Sequence, residues 1–373
     1  MAKQVILAVA GSGKTYHICN SINSKEKNLI LAYTNENISN IKRELIDKHG
    51  CIPELTNIMT FDSFIYRYLI CPYEPTILKY FGRSEFKRKG ITTIDPPPMQ
   101  IKLSNGKRIP NPRYIKKEYH EHYVSKDGRY YCSTLSELLM FVKDNGKPLI
   151  NKASENLNKF YNQIMIDEFQ DFRKYDFDLI IALSKNIQNV LLVGDFYQHS
   201  VSAVNNSGKP FKRGKKEISY QDFIDLLSKQ KFKIDNRKLL KSRRCSSPIC
   251  NYVSNKLKIQ IESSNTNNGK VIWVNDNIQK ILDNDLIIKL VYQGANTYKF
   301  KAINWSYSKG DTLDDVCVIL TKTFENLDED TFSLANIPTS TINKLYVAMT
   351  RAKGNLYLIK ESIFSEVKSH YKK

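Results

Sequence analysis

The chain has no apolar run approaching the length that spans a membrane, and its first residues read as a strand rather than a leader. No signal peptide, anchor or membrane partner is expected, and a cytoplasmic monomer is. Cysteine is sparse and scattered: seven residues, of which only Cys245 and Cys250 lie close, with no second pair or histidine cluster to complete a zinc site. That argues against a cysteine-bound metal and leaves reduced, small apolar side chains. Acidic residues are in short supply: 38 Asp plus Glu face 57 Lys plus Arg, a formal net charge of +19. So large a basic surplus calls for a polyanionic partner, nucleic acid first, since no basic amphipathic helix stands out to favour a membrane surface. Internal repeats and low-complexity segments are absent too. The 373 residues suffice for two or three lobes, each with its own core.

What is present centres on Ala8-Val9-Ala10-Gly11-Ser12-Gly13-Lys14-Thr15, preceded by the apolar run Gln4 to Val9 and followed by a helical stretch, Tyr16 to Ser21. Strand, glycine-rich turn and helix in that order make a phosphate-binding loop, with alanine at its usual first glycine. Gly11 and Gly13 let the backbone N–H groups of Ala10 to Thr15 converge on a β-phosphate. Lys14 would reach the β- and γ-phosphates, and Thr15 would hold Mg²⁺. The cofactors expected are therefore ATP and Mg²⁺.

Short apolar strands alternate with helical spacing along the chain: strands at Asn28 to Tyr33 and Ile58 to Phe61, helices at Asn40 to His49 and Ser63 to Ile70. Phe160 to Ile166 and Val190 to Val193 add further strands, with a helix at Asp176 to Ser184 between them. This is the texture of an α/β domain with a largely parallel sheet. Residues 71 to 152 break it with proline clusters, the hairpin signals Asn105-Gly106 and Asp127-Gly128, and basic residues interleaved with tyrosines. They read as an inserted subdomain, either a surface for single-stranded nucleic acid or a solvated insert whose aromatics form a small core. A polar loop, Asn205 to Lys216, links to a second α/β block from about Ile218, with strands near Val271 to Val274, Val316 to Leu320 and Leu356 to Ile359. The basic tail beyond Val367 is expected to fray. The domains expected are thus 1–70 with 153–204, the insert 71–152, and 205–373.

The strand before Asp167-Glu168 supplies the acids that a phosphate loop needs. Asp167 would hold Mg²⁺ and Glu168 would orient or deprotonate the water attacking the γ-phosphate. At this point the residues resemble a known family. Ile166-Asp167-Glu168-Phe169-Gln170-Asp171 looks like motif II of the superfamily 1 helicases of the UvrD/Rep/PcrA type. The family's other motifs follow in order. Thr34-Asn35 is similar to motif Ia, and Thr60-Phe61-Asp62-Ser63-Phe64 resembles its Thr-Phe-His-Ser-Phe element. Val193-Gly194-Asp195-Phe196-Tyr197-Gln198 looks like motif III, and Ser242-Arg243-Arg244-Cys245 like motif IV. Ser308-Lys309-Gly310 resembles motif V, and Leu345-Tyr346-Val347-Ala348-Met349-Thr350-Arg351-Ala352-Lys353 is very close to motif VI.

The resemblance implies two RecA-like motor domains hydrolysing ATP on single-stranded DNA, with RNA as the alternative strand. Movement would run 3′ to 5′. By the same resemblance Arg244 and Arg351 would stabilise the transferred phosphoryl group from across a cleft, and Lys14, Gln170, Gln198 and Gly310 would contact the nucleotide. Thr34, Asn35, Thr60, Phe61 and Phe64 would touch the strand. The chain departs from the pattern in five places. It carries no glutamine motif before the loop. Val201, Ala203 and Val204 stand where motif III continues with tyrosine, tryptophan and arginine. Asp62 replaces a histidine, and Ser306 and Thr312 replace the histidine and glutamate of motif V. Only about sixty residues separate Arg244 from Lys309, too few for the family's large insert. A nucleotide-dependent switch, or an ATPase subunit activated by a partner such as a nuclease, is the competing reading.

Overall fold

The computed structural model describes residues 2–199, 210–214 and 216–373. By compactness the chain divides into two units: Met1–Val5 with Ile18–Leu192 and Ser207–Lys233, and Ile6–His17 with Val193–Asn206 and Ile234–Lys373.

The first sheet has six strands: β1 (Ala2–Leu7), β2 (Asn28–Ala32), β3 (Thr56–Thr60), β4 (Gln163–Asp167), β5 (Asn189–Gly194) and β6 (Lys233–Asp235). Their order is β6-β1-β5-β4-β2-β3, and β2 pairs in parallel with both β3 and β4. Every residue of β2 is buried, as a strand covered on both faces requires. The helix α1 (Lys14–Asn20) follows the phosphate loop. The next, α2 (Asn35–His49), begins five residues before its apolar periodicity does, because the Thr34 hydroxyl accepts the Asn37 N–H at 3.1 Å and caps it. It ends at Gly50, φ +75°, whose N–H returns to the Ile46 carbonyl. Ile38, Ile41 and Leu45 form its buried face.

The first unit also takes in a helix expected in the second block. α3 (Tyr220–Lys229) starts at a capping box made by Ser219 and Asp222 and buries Phe223 and Leu227. The Phe223 ring stacks on Phe211 and on Phe169, with centroids 5.2 and 6.0 Å away, and that aromatic column draws the segment to the first unit. Half of the polar loop expected before it, residues 205–209 and 215, lies outside the described residues.

In the insert, both hairpin signals are honoured. Strands Gln100–Lys102 and Arg108–Pro110 flank Asn105-Gly106, and Gly128 takes φ +85° in the turn closed by Ser125 N–H to Arg129. A third hairpin, Lys143–Asp144 with Lys147–Pro148, turns on Asn145-Gly146, both at positive φ. Tyr123 and Tyr130 are fully buried, and His120 packs its ring against Phe81, Phe86 and Tyr130. These aromatics form a core. Several of the insert's cations sit on nearby acids, Arg88 on Glu74 at 2.8 Å and Lys152 on Asp144 at 3.0 Å among them.

The main sheet of the second unit has five strands: β7 (Val271–Trp273), β8 (Ile288–Val291), β9 (Ala302–Asn304), β10 (Val316–Ile319) and β11 (Leu356–Ile359). The pairings within that sheet are all parallel, in the order β7-β11-β10-β8-β9. Trp305 is buried against it, donating its indole N–H to the Leu290 carbonyl at 3.1 Å. The tail is tied down rather than frayed: Lys299 N–H donates to Tyr371, Lys373 N–H to Thr297, and the Tyr371 hydroxyl to Asp283 at 2.8 Å. Among the described residues no helix is long and apolar enough to cross a membrane, and all seven cysteines are free thiols.

Candidate active site

The phosphate loop belongs to the second unit. Gly11 and Gly13 have φ of +70° and +85°, and Lys14 and Thr15 open α1. Val9 N–H donates to Leu239 and Arg243 N–H to Gly11, which lays the loop against the motif IV segment. The approach at Gly11 is close enough that a Cβ there would lie 2.6 Å from the Arg244 Cβ and 2.8 Å from the Ser242 hydroxyl. Only glycine combines that backbone with that neighbour. Ser12 is buried, its hydroxyl donating to the Val9 carbonyl at 2.8 Å.

Both arginines singled out in the sequence are held by hydrogen bonds, partly to backbone carbonyls. Arg244 donates from Nε to the Thr312 hydroxyl at 2.9 Å and from Nη1 to the Thr350 carbonyl at 3.2 Å. Arg351 is 1% exposed and donates to the carbonyls of Val347 at 2.9 Å and Asp311 at 3.2 Å. Gly310, with φ +96°, sits in the turn just before Asp311. Gln198 is buried, its amide donating to Asp195 Oδ2 at 2.9 Å. Beside Ser12 opens a cleft of about 640 Å³ lined by Arg237, Lys238, Lys241 and Arg243, with Glu262 the acid among its lining residues. The Arg243 guanidinium lies over the Tyr16 ring, 5.0 Å from its centroid. Burial, and then the Lys238 charge, holds His17 below the usual histidine range. A basic cleft beside a phosphate loop is suited to a polyphosphate.

In the first unit, Asp167 ends β4 almost fully buried. Glu168 follows in the left-handed region, φ 55° and ψ 42°, where a non-glycine residue carries strain of order 1–3 kcal/mol. Gln170 is buried and donates its amide to the Glu168 carboxylate. Within the first unit Asp167 offers carboxylate oxygen, the donor type that suits a hard cation. Among the described residues no three His, Cys, Asp or Glu cluster as a complete metal cage.

The expected nucleic-acid residues separate into two groups. Thr34 and Asn35 are exposed and Thr60 is half-buried. Phe61 and Phe64, also expected to touch the strand, are fully buried here. Phe61 stacks on Tyr33 with centroids 5.3 Å apart and also meets Phe172, while Phe64 stacks on Tyr68, so neither ring has a face open to a base. Between them Asp62 turns to Arg173, which also bonds Asp176 Oδ2 at 3.1 Å and the Cys132 carbonyl at 2.8 Å. Burial raises the Asp62 pKa despite the pull of Arg173. Arg173 was not singled out in the sequence, although its cation three residues before Asp176 was the available signal. Val201, Ala203 and Val204 lie outside the described residues.

Comparison with known proteins gives this arrangement a family. Residues 2–203 match the AAA domain family, and residues 113–360 match the viral superfamily 1 RNA helicase core domain, each more than half of the chain. The chain belongs to the superfamily 1 helicases. Its two parallel sheets are accordingly the RecA-like motor folds expected. A curated relative, the putative ATP-dependent DNA helicase YjcD of Bacillus subtilis (strain 168), is 24% identical over 243 residues. That match covers 56% of this chain and 32% of the relative, so the chain spans about a third of that helicase's length. Among solved structures, the PRRSV helicase is similar with a TM-score of 0.44 and 15% identity, over 99% of this chain and 54% of that one. The arterivirus nonstructural protein 10 helicase in complex with DNA gives a TM-score of 0.44 and 11% identity, over 98% and 62%.

Proposed function

We propose that this superfamily 1 helicase is an ATP-driven translocase of the UvrD-like type, moving 3′ to 5′ on single-stranded DNA in the cytoplasm. Its motor domains are 1–70 with 153–204 and 205–373, and 71–152 is an insert in the first. The observation that carries the reading is the seating of Arg244 against Gly11. The Arg244 backbone and Cβ pack on the loop whose N–H groups and Lys14 would receive phosphates, and its guanidinium bonds Thr312 and Thr350. In this reading Glu168 orients the attacking water and takes its proton, Arg244 and Arg351 offset the charge gathering on the γ-phosphoryl oxygens, and Gln170 and Gln198 sense that group. Mg²⁺ bound through Thr15 and Asp167 would supply further charge neutralisation. Thr34, Asn35 and Thr60 would hold the strand through their polar groups.

A switch without movement is the second reading, favoured by Val201, Ala203 and Val204 in place of the motif III aromatics and arginine. Steady-state ATP hydrolysis with and without single-stranded DNA or RNA, beside Glu168→Gln, decides between them. Strong stimulation lost in the variant is expected. Turnover indifferent to either strand would overturn the motor reading in favour of the switch.

A further inference from the structure

We propose that Tyr346 is a positioning residue of the nucleotide site, its hydroxyl tying the phosphate loop to Asp195 and, through Asp195, to Gln198. The three groups meet inside the second unit. Tyr346 lies on the helix Thr339–Met349 with no exposed surface. Its oxygen accepts the Ala10 N–H at 2.9 Å, and its proton goes to Asp195 Oδ2 at 2.9 Å. That same carboxylate oxygen accepts the Gln198 side-chain amide at 2.9 Å, while Oδ1 accepts the Tyr197 N–H at 3.0 Å.

The polarity of this chain has one solution. Ala10 N–H can only donate, so the phenol must turn its own proton to Asp195. Asp195 is fully buried, and a carboxylate there needs donors on its oxygens; the phenol and the Gln198 amide converge on one of them. Burial, with the Asp195 charge next, keeps the phenol protonated well beyond the ordinary tyrosine range, so it remains a donor at any working pH. A displacement at Ala10 when phosphates enter therefore alters the phenol, and the phenol alters how tightly Asp195 holds Gln198.

The inference rests on the reading of Gln198 as the sensor of the γ-phosphate. A purely structural role for Tyr346 predicts something else, namely loss of stability with nucleotide discrimination intact. Tyr346→Phe separates the two, because it keeps the ring and its edge contact with Tyr197 and removes only the oxygen.

The experiment measures binding of ATP and ADP to the full chain by displacement of a fluorescent nucleotide, alongside thermal melting and kcat. In Tyr346→Phe the preference for ATP over ADP should fall toward unity while ADP affinity stays within about threefold and kcat drops about tenfold, the loss of one hydrogen bond. Gln198→Ala should do the same, and the double variant no more than either alone, as members of one network behave. Unchanged discrimination in Tyr346→Phe, or full additivity with Gln198→Ala, would overturn the proposal. Asp195→Asn interrupts the network from its other side and decides the matter should the phenylalanine variant not fold. The binding readout needs no turnover. A parent chain that distinguishes ATP from ADP but never hydrolyses sinks the motor reading and leaves this network standing.

Discussion

Replacing Arg173 by methionine removes a cation from the least forgiving place in the first unit. Its side chain is 12% exposed and that of Asp176 1%, and Asp62 is bonded to the same guanidinium. Asp176 would keep the Ser136 hydroxyl and the Arg173 backbone N–H, bonds that survive the substitution. Asp62 would keep no cation in this cluster. Removing one partner of a buried pair costs ~3–5 kcal/mol, because the remaining charge stays out of water. The loss should depend on pH. Asp62 already has a folded pKa above its unfolded one, and removing Arg173 raises it further. A carboxyl so shifted contributes stability below its unfolded pKa and loses it as pH rises through the folded value. The deficit should therefore be smaller at pH 5 than at pH 8. Adding Asp62→Asn should recover at least ~1 kcal/mol of it, since the stranded charge is gone. Urea unfolding by far-UV circular dichroism is the assay. Tryptophan fluorescence serves as a control, because both Trp273 and Trp305 belong to the second unit. A loss under ~1 kcal/mol, or a double variant equal to the sum of the singles, would refute a buried, coupled cluster.

Gly11→Ala should abolish nucleotide binding in a fluorescent-nucleotide titration, because φ is +70° and the new methyl would sit 2.6 Å from the Arg244 Cβ; near-parent affinity would mean the loop is not held against Arg244. Arg351→Ala should lower kcat on the scale of ~10³, that of an arginine finger, and a rate within a few-fold of the parent would remove that role. His120 is held at about 4 by burial, so its contribution is full above its unfolded pKa of 6.5 and lost as pH falls toward 4. The loss of about 3 kcal/mol should vanish in His120→Gln when acid unfolding is followed, although His122 beside Glu137 shifts oppositely and remains. Single-strand affinity should fall steeply with salt as phosphate contacts release counterions, and a flat response would exclude backbone tracking.

Much of the fold was legible because buried parallel strands are short apolar runs with little else to be. Leu356–Ile359 was read to the residue, and β2 to within one. β8 and β9 were missed. Ile288–Val291 carries Lys289 in its middle, and that charge disguised a fully buried strand; the lysine donates to the Asn284 carbonyl at 2.7 Å, and burial lowers its pKa. The tail looked frayed by composition, since charge density says nothing of the backbone bonds Lys373 and Tyr371 make. Asn145-Gly146 is an Asn-Gly hairpin signal of the same kind as Asn105-Gly106.

The site was legible where chemistry demands a residue type and opaque where geometry decides. Gly11, Lys14, Asp167 and Glu168 declare themselves by kind and spacing. Phe61 and Phe64 matched a motif, yet a motif cannot say which way a ring points. Here the pair closes a core with Tyr33 and Phe172, and what that segment leaves at the surface is hydroxyl and amide rather than ring. The difference changes the physics of the proposed grip. Rings stack on bases and hold a strand by its sequence-bearing face, at about 1–3 kcal/mol per base. Thr34, Asn35 and Thr60 offer only hydrogen bonds suited to phosphate and sugar, which position without reading. With the motif III aromatics replaced as well, little in these motifs would catch a base between steps. A chain gripping by phosphate alone would advance with weak sequence preference and a strong dependence on ionic strength, and its step would rest on the nucleotide site holding firm while the strand is loosely held.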